Sequence, residues 1–157
     1  CVTSLLVSLF AISLYITIRF DRKYALYALI ALFHDLLIVF GIFSWLGIIL
    51  SVEVNSLFAV SLLTIAGYSV NDTVVIFDRI RENLRTRNES NNEIIQLSVN
   101  ESFRRTTFTS ITTLIPLLCL ILFGSYSLFW FSLSLSLGIL VGSYSSILLA
   151  PSLLLKD

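Results

Sequence analysis

Leu57-Phe-Ala-Val-Ser-Leu-Leu-Thr-Ile-Ala-Gly-Tyr-Ser-Val-Asn-Asp-Thr-Val-Val-Ile-Phe77 is followed at once by Asp78-Arg-Ile-Arg-Glu-Asn83. The first part is long enough to cross a bilayer, which needs roughly 20 apolar residues. It carries one acid, Asp72, inside it. Its end is marked by an abrupt run of charge. A chain built of such segments is a membrane protein, and the rest of the sequence agrees. Of its 157 residues, 57% are hydrophobic and 13% charged, where a soluble domain carries nearer a quarter charged. There is more apolar surface than one water-facing core can hide.

Outward from this segment, four more apolar stretches predict spans. They are Val2–Ile18, Tyr24–Leu50, Thr106–Phe123 and Ser127–Leu149, with Pro151 expected to stop the last. The predicted fold class is therefore an all-α integral membrane bundle of about five transmembrane helices, forming a single domain over residues 1–157. Val2–Ile18 is followed, not preceded, by positive charge, so it reads as a retained helix and not as a cleaved signal. The chain has no Met and begins at Cys1, which suggests that a segment preceding Cys1 is missing.

The basic residues test this count. Arg19, Arg22 and Lys23 follow the first span. Arg79, Arg81, Arg85, Arg87, Arg104 and Arg105 fall between the third and fourth, and Lys156 follows the fifth. The connection after the second span holds Glu53 but no Lys or Arg. All ten basic residues thus lie on one side, which the positive-inside rule makes cytoplasmic or its equivalent. The N-terminus is then outside and the C-terminus inside. Between spans three and four, Ile95, Val99 and Phe103 recur at helical spacing beside Glu93, Glu101 and Arg104. That pattern predicts a short amphipathic helix, about 93–104, on the inner surface.

Ionisable groups inside a span are costly and face protein or a water-filled cavity. Asp35 lies about eleven residues into the second span, roughly 16 Å deep at the helical rise. His34 beside it is the chain's one histidine, a type that titrates near physiological pH when unperturbed. The two point about 100° apart and need separate partners. Ser61, Thr64, Tyr68 and Asp72 are spaced by three, four and four residues and share a face, and Asn71 is adjacent. The fourth span opens with Arg105 and carries Thr106, Thr109, Ser110 and Thr113. If the stripes meet, Arg105 pairs with Asp72, and the opposed influences of pairing and burial let a carboxylate load and release a proton. The bland alternatives are hydroxyls bonded to their own helix and an Asp that serves as hydrogen-bonding glue. Gly138-Ile-Leu-Val-Gly142 is a GxxxG, read as internal packing first and oligomer contact second.

Nothing points to an enzyme, a metal, a cofactor or nucleic acid. There is no phosphate loop, nucleophile motif or His/Cys cluster, and Cys1 and Cys119 read as small buried hydrophobes.

The run Gly67-Tyr-Ser-Val-Asn-Asp-Thr-Val-Val-Ile-Phe-Asp-Arg-Ile-Arg-Glu-Asn83 closely resembles the signature of the SecF family of protein-export subunits. Ala31-Leu-Phe-His-Asp35, Asn100-Glu-Ser-Phe-Arg-Arg-Thr106 and Gly142-Ser-Tyr-Ser-Ser-Ile147 resemble further family segments in the same order. The resemblance implies helices two to six of a six-helix protein, without the first helix and the soluble domain that follows it. It implies half of a membrane domain shared with resistance–nodulation–division exporters. It also implies SecD as partner, a SecY-containing translocon, a preprotein substrate and use of the proton gradient. Asp72 matches the family's intramembrane acid and Arg105 its basic residue. Asp78, Arg79 and Arg81 match the charged end of the motif, expected to anchor and couple at the inner face. Gly67 is expected to pack helices. Related SecD subunits carry the acid one position earlier, where this chain has Asn71. The Glu53–Phe58 segment resembles cyanobacterial members, so a cyanobacterial plasma membrane or a plastid membrane is the expected location. A small-molecule exporter of the same superfamily and a structural subunit without an ion path are the competing functions.

Overall fold

In a lipid interior every backbone N–H and C=O must be satisfied within the chain, and helices do this segment by segment. The computed structural model is accordingly helical, and it describes residues 2–50, 56–87 and 90–155. Helix α1 is Val2–Arg19, α2 is Arg22–Leu50, α3 is Ser56–Thr86 and α4 is Asn91–Phe123. Helix α5, Tyr126–Tyr144, runs through a π turn, Ser145–Leu149, into α6, Ala150–Leu155. Cys1, Glu53 and Lys156 fall outside the described residues.

Four helices are long and apolar enough to cross a membrane: Arg22–Leu50, Ser56–Thr86, Asn91–Phe123 and the continuous Tyr126–Leu155. Helix α1 is shorter, its apolar part being Thr3–Arg19. The bundle is built around α3 and α5, which cross closely, with α4 against both on one flank and α2 on the other. Two apolar clusters fill it. One, toward the basic end, joins Ile16, Phe20, Ala28, Leu32, Ile76 and Phe77. The other joins Val39, Phe43, Phe58, Ile65, Leu117 and Ile139. Phe33, Trp45, Ile48, Leu122 and Phe123 point outward, as expected where the solvent is hydrocarbon and no hydrophobic penalty attaches to exposure.

The sequence expectations need correction at four places. First, the amphipathic stretch 93–104 is not a separate surface helix. It is the beginning of α4, which runs unbroken for 33 residues. No helix-breaking residue separates Glu93 from the apolar part, so the backbone has no cause to stop. Glu93 accepts from the Ser90 N–H and hydroxyl at 3.3 and 2.8 Å, which starts the helix as half of a capping box. The end of α3 and the start of α4 form a hairpin that extends the bundle, with Ile80, Ile94 and Ile95 buried between them and Phe103 turned outward. Second, Pro151 does not end the last helix. It sits in the first turn of α6, directly after the π turn, whose wider loop is closed by the Ala150 N–H on the Ser145 carbonyl. Proline has no N–H to give and its ring clashes with the carbonyl four residues back, and a π turn removes that conflict without breaking the helix. Third, Gly67 packs against no other helix of this bundle: among the described residues, nothing beyond its own helix backbone and chain neighbours lies within 4 Å of where its Cβ would stand. Fourth, Cys119 is exposed on the outward face of α4.

The GxxxG of α5 does pack internally. A Cβ at Gly138 would run into the side chain of Ile65, and one at Gly142 would lie 3.3 Å from the Ser69 Cβ. These two glycines bring α5 onto α3 at the level of the polar groups. Helix α4 ends at Gly124, whose backbone turns extended (φ -78°, ψ 169°) after its N–H has met the Leu120 carbonyl at 2.8 Å, and a Cβ there would run into that carbonyl.

Candidate functional site

Helix α3 turns Asp72 inward, to 3% exposure. Its Oδ2 is buried and has no hydrogen-bond partner among the described residues, and neither has the hydroxyl of the adjacent Thr73. An unpaired buried carboxylate oxygen is a costly arrangement, several times the value of an ordinary hydrogen bond, and such groups are rare enough to need a reason. Arg105 is the charged group electrostatically coupled to Asp72. No ion pair within 4 Å joins the two among the described residues, so the expected direct pairing is not made in this structure. Arg105 instead lines an open cleft of about 410 Å³ with Val75, Asp78, Arg79, Glu82, Glu101 and Ser102. This cleft lies between α3 and α4 at the basic end, about one to three turns along α3 from Asp72.

On the other side of Asp72 the two polar stripes do meet. The Tyr68 hydroxyl lies 3.2 Å from Ser110 Oγ, and Thr113 Oγ1 lies 3.3 Å from Tyr68 Oη. Ser110 Oγ also lies 2.6 Å from Ser143 Oγ of α5. The remaining stripe members take the bland course. Ser61 and Thr64 bond the carbonyls of Phe58 and Val60, and Thr109 bonds that of Arg105. Asn71, like Gly67, is exposed on the open face of α3.

Asp35 is fully buried and, unlike Asp72, fully served. Its Oδ2 accepts from Ser69 Oγ at 2.5 Å and from Ser145 Oγ at 2.7 Å. His34 Nδ1 reaches its Oδ1 at 3.1 Å. The expectation of separate partners for His34 and Asp35 is thus overturned. The neighbouring imidazole bends back onto the carboxylate, because a side chain one third exposed costs less at the bundle surface than Asp35 would unpaired. Sequence reading passed over Ser69 and Ser145 as partners. The sole signal was position: Ser145 follows Gly142 by three residues on an α5 whose serines lie on every face.

At the basic end the motif charges are paired. Asp78 takes Arg19 at 2.7 Å, and Arg81 lies 3.4 Å from Asp21. Arg79 bonds Glu82 and Glu101, each at 2.7 Å, and Arg87 reaches Glu101 at 3.2 Å. The buried Asn83 amide donates to Ser98 Oγ and to Glu101 at 2.9 and 3.0 Å. The Asn83 amide, and then Arg79, hold the Glu101 carboxyl below its usual range. No group of three metal-ligating side chains is brought together among the described residues.

The comparisons with known proteins bear on the family and the fold. The family model described as protein export membrane protein SecD/SecF, C-terminal, matches residues 1–156. Protein translocase subunit SecF of Prochlorococcus marinus is 60% identical over 96% of this chain and 47% of its own length. The subunit of that name from a Synechocystis strain is 48% identical over 97% of this chain and 49% of its own. The chain therefore spans about half the length of these curated relatives. Among solved structures, SecDF from Thermus thermophilus, described as a translocon-associated membrane protein, superposes with a TM-score of 0.85 at 40% identity, over 92% of this chain and 20% of that one. A super-membrane-facing form of SecDF gives 0.87 at 41% identity, over 96% of this chain. With its whole bundle matched by the family and by these structures, the chain belongs to the SecD/SecF family of protein export membrane proteins.

Proposed function

We propose that this chain is the membrane part of an accessory subunit that, with a SecD partner, uses the proton gradient to promote export of preproteins through a SecY-type channel. The observation that carries the reading is the unpartnered, buried Oδ2 of Asp72, with the Arg105 charge coupled to it from the cleft. A carboxylate bonded on all sides is fixed in one state. One left open between a cation and a hydroxyl cluster can take up and give back a proton. Asp35, with its acceptors occupied, is assigned a different part. The charged end of the motif works as an anchor: Asp78 and Arg81 tie α3 to the end of α1 and its loop, and Arg79 ties it to α4.

The basic end faces the cytoplasm and the chain's N-terminal end faces outward, with α1 as a fifth span. The alternation of basic residues supports this, as do the Arg19–Asp78 and Arg81–Asp21 pairs, which hold the ends of α1 and α3 at one level. The open face of α3, with bare Gly67 and exposed Asn71, is where SecD packs, since an uncovered small residue and amide in a span invite another helix. The setting is a bacterial plasma membrane of cyanobacterial type.

The test is export of a reporter preprotein in cells depleted of this subunit and supplied with the full-length protein. Asp72→Asn, at matched membrane levels, is expected to abolish the rescue that wild type gives. Equal rescue by both assigns Asp72 to structure and removes the proton-driven reading.

A further inference from the structure

The π turn of α5 lies beside Asp35, a buried acid with three hydrogen-bonding partners. Ser145, its first residue, donates to Asp35 Oδ2 at 2.7 Å, and Ser69 of α3 donates to the same oxygen at 2.5 Å. Gly142 leaves the space in which this happens: a Cβ there would stand 3.3 Å from the Ser69 Cβ and 3.7 Å from Asp35 Oδ2. Two residues before Ser145, Ser143 bonds Ser110 of α4 at 2.6 Å, and Ser110 takes the Tyr68 hydroxyl at 3.2 Å. The short stretch 142–145 of α5 is therefore held to the single turn 68–69 of α3 from both flanks, through α4 on one side and Asp35 on the other. That turn is the one immediately before Asp72.

A π turn is an α-helix with one residue too many, and it survives where something holds it. Here two things do. Pro151 has no N–H to donate, so the regular bond to the Ile147 carbonyl is lost whichever register is adopted. The hydroxyl of Ser145 is occupied by Asp35. Were the turn to relax to α geometry, every residue after it would rotate by about 100° and advance by about 1.5 Å relative to those before it. Ser145 stands at the start of that change, and its bond to Asp35 ties the point where the rotation begins to α3.

We propose that Asp35 is a positioning residue: it fastens the π turn of α5 to the α3 turn that presents Asp72, so that the register of the last helix and the setting of Asp72 change together. This rests on the reading of Asp72 as the proton-carrying group. It gives Asp35 and Ser145 a part in coupling without making either a carrier. His34, on Oδ1 at 3.1 Å, steadies the carboxylate from the bundle surface.

The experiment uses the full-length protein with its SecD partner in nanodiscs, and compares Asp35→Asn, Ser145→Ala, their double variant and Asp72→Asn. Ser152→Ala serves as control, because that hydroxyl bonds only the Leu149 carbonyl at an exposed site. Two quantities are read: amide hydrogen exchange over residues 145–150, and export in cells at matched membrane levels. Loss of a charge-assisted buried bond is expected to speed exchange roughly tenfold or more. Export is expected to fall several-fold in each single variant, and the double is expected to be no worse than Asp35→Asn. Asp72→Asn is expected to block export with exchange at the wild-type rate. Wild-type exchange in Asp35→Asn and Ser145→Ala, or fast exchange with full export, overturns the proposal while leaving Asp72 as carrier. Full export by Asp72→Asn overturns the reading of Asp72 and the link to it, and the exchange arm then still shows whether Asp35 holds the turn.

Discussion

Arg79 Nε lies 2.7 Å from Glu101 Oε2, which locks the end of α3 to the start of α4 at the basic face. Asn83 and Arg87 add bonds to the same carboxylate at 3.0 and 3.2 Å. Because the Asn83 amide and Arg79 favour the ionised form, Glu101 titrates lower in the folded hairpin than in an unfolded chain, where a glutamate sits near 4.5. The sign follows from linkage: the unfolded state binds the proton more readily, so the stabilisation is full above about pH 4.5 and is lost as pH falls through the lower folded value. Hydrogen exchange of the hairpin amides is therefore expected to be flat between pH 6 and 8, once corrected for intrinsic rate, and to lose protection below pH 4.5. Glu101→Gln removes that acid step. An unchanged step in Glu101→Gln would assign it to another carboxylate.

The Ile65 side chain of α3 fills the space that a side chain at Gly138 of α5 would need. A valine at 138 has nowhere to go without moving Ile65, which is only 1% exposed. Overpacking of this sort costs about 1–3 kcal/mol. Gly138→Val is expected to lower the thermal unfolding midpoint of the detergent-solubilised protein. Ile65→Ala is expected to lower it too, by opening a cavity. The double variant is expected to be more stable than the sum of the two predicts, since each change relieves the other. Strict additivity would mean that the helices do not meet there.

Much of this was legible in the sequence because hydropathy and charge are one-dimensional signals. The apolar runs, the alternation of basic residues, the inward acid at position 72 and the GxxxG contact need no tertiary knowledge. What was not legible depends on partners far along the chain or on backbone register. Nothing local tells that Ser69 and Ser145, 76 positions apart by number, converge on Asp35. The π turn leaves no compositional trace, so Pro151 read as a stop. Hydropathy falls at Arg104–Thr106 while the backbone continues, which split α4 in two. Gly67 was expected to pack helices because its motif resembles the family's, and no other helix of this chain meets it among the described residues.

Cys119 lies on an apolar outward groove of about 650 Å³ with Ile115, Pro116, Leu120 and Phe123. If α4 crosses the bilayer, the thiol faces hydrocarbon within a turn or two of the Gly124 end. In membranes carrying the protein, a membrane-permeant maleimide is expected to label Cys119 much faster than a charged, impermeant one, whichever side the impermeant reagent is added. Equal labelling by both reagents would put this face in water.

The proposed action of Arg105 on Asp72 without an ion pair between them separates two ways in which a cation can serve an acid. A direct bond demands the planar guanidinium, and lysine fails there. A field across a gap demands only positive charge, worth roughly 1–3 kcal/mol at the separations and effective dielectric of a partly wet cleft. Export of a reporter preprotein by full-length protein carrying Arg105→Gln is accordingly expected to drop about tenfold. Arg105→Lys is expected to keep a substantial part of wild-type activity, because an ammonium at the cleft mouth still supplies the charge. A lysine variant as inactive as the glutamine would show that the two side chains meet directly during turnover. A glutamine variant as active as wild type would remove Arg105 from the coupling altogether.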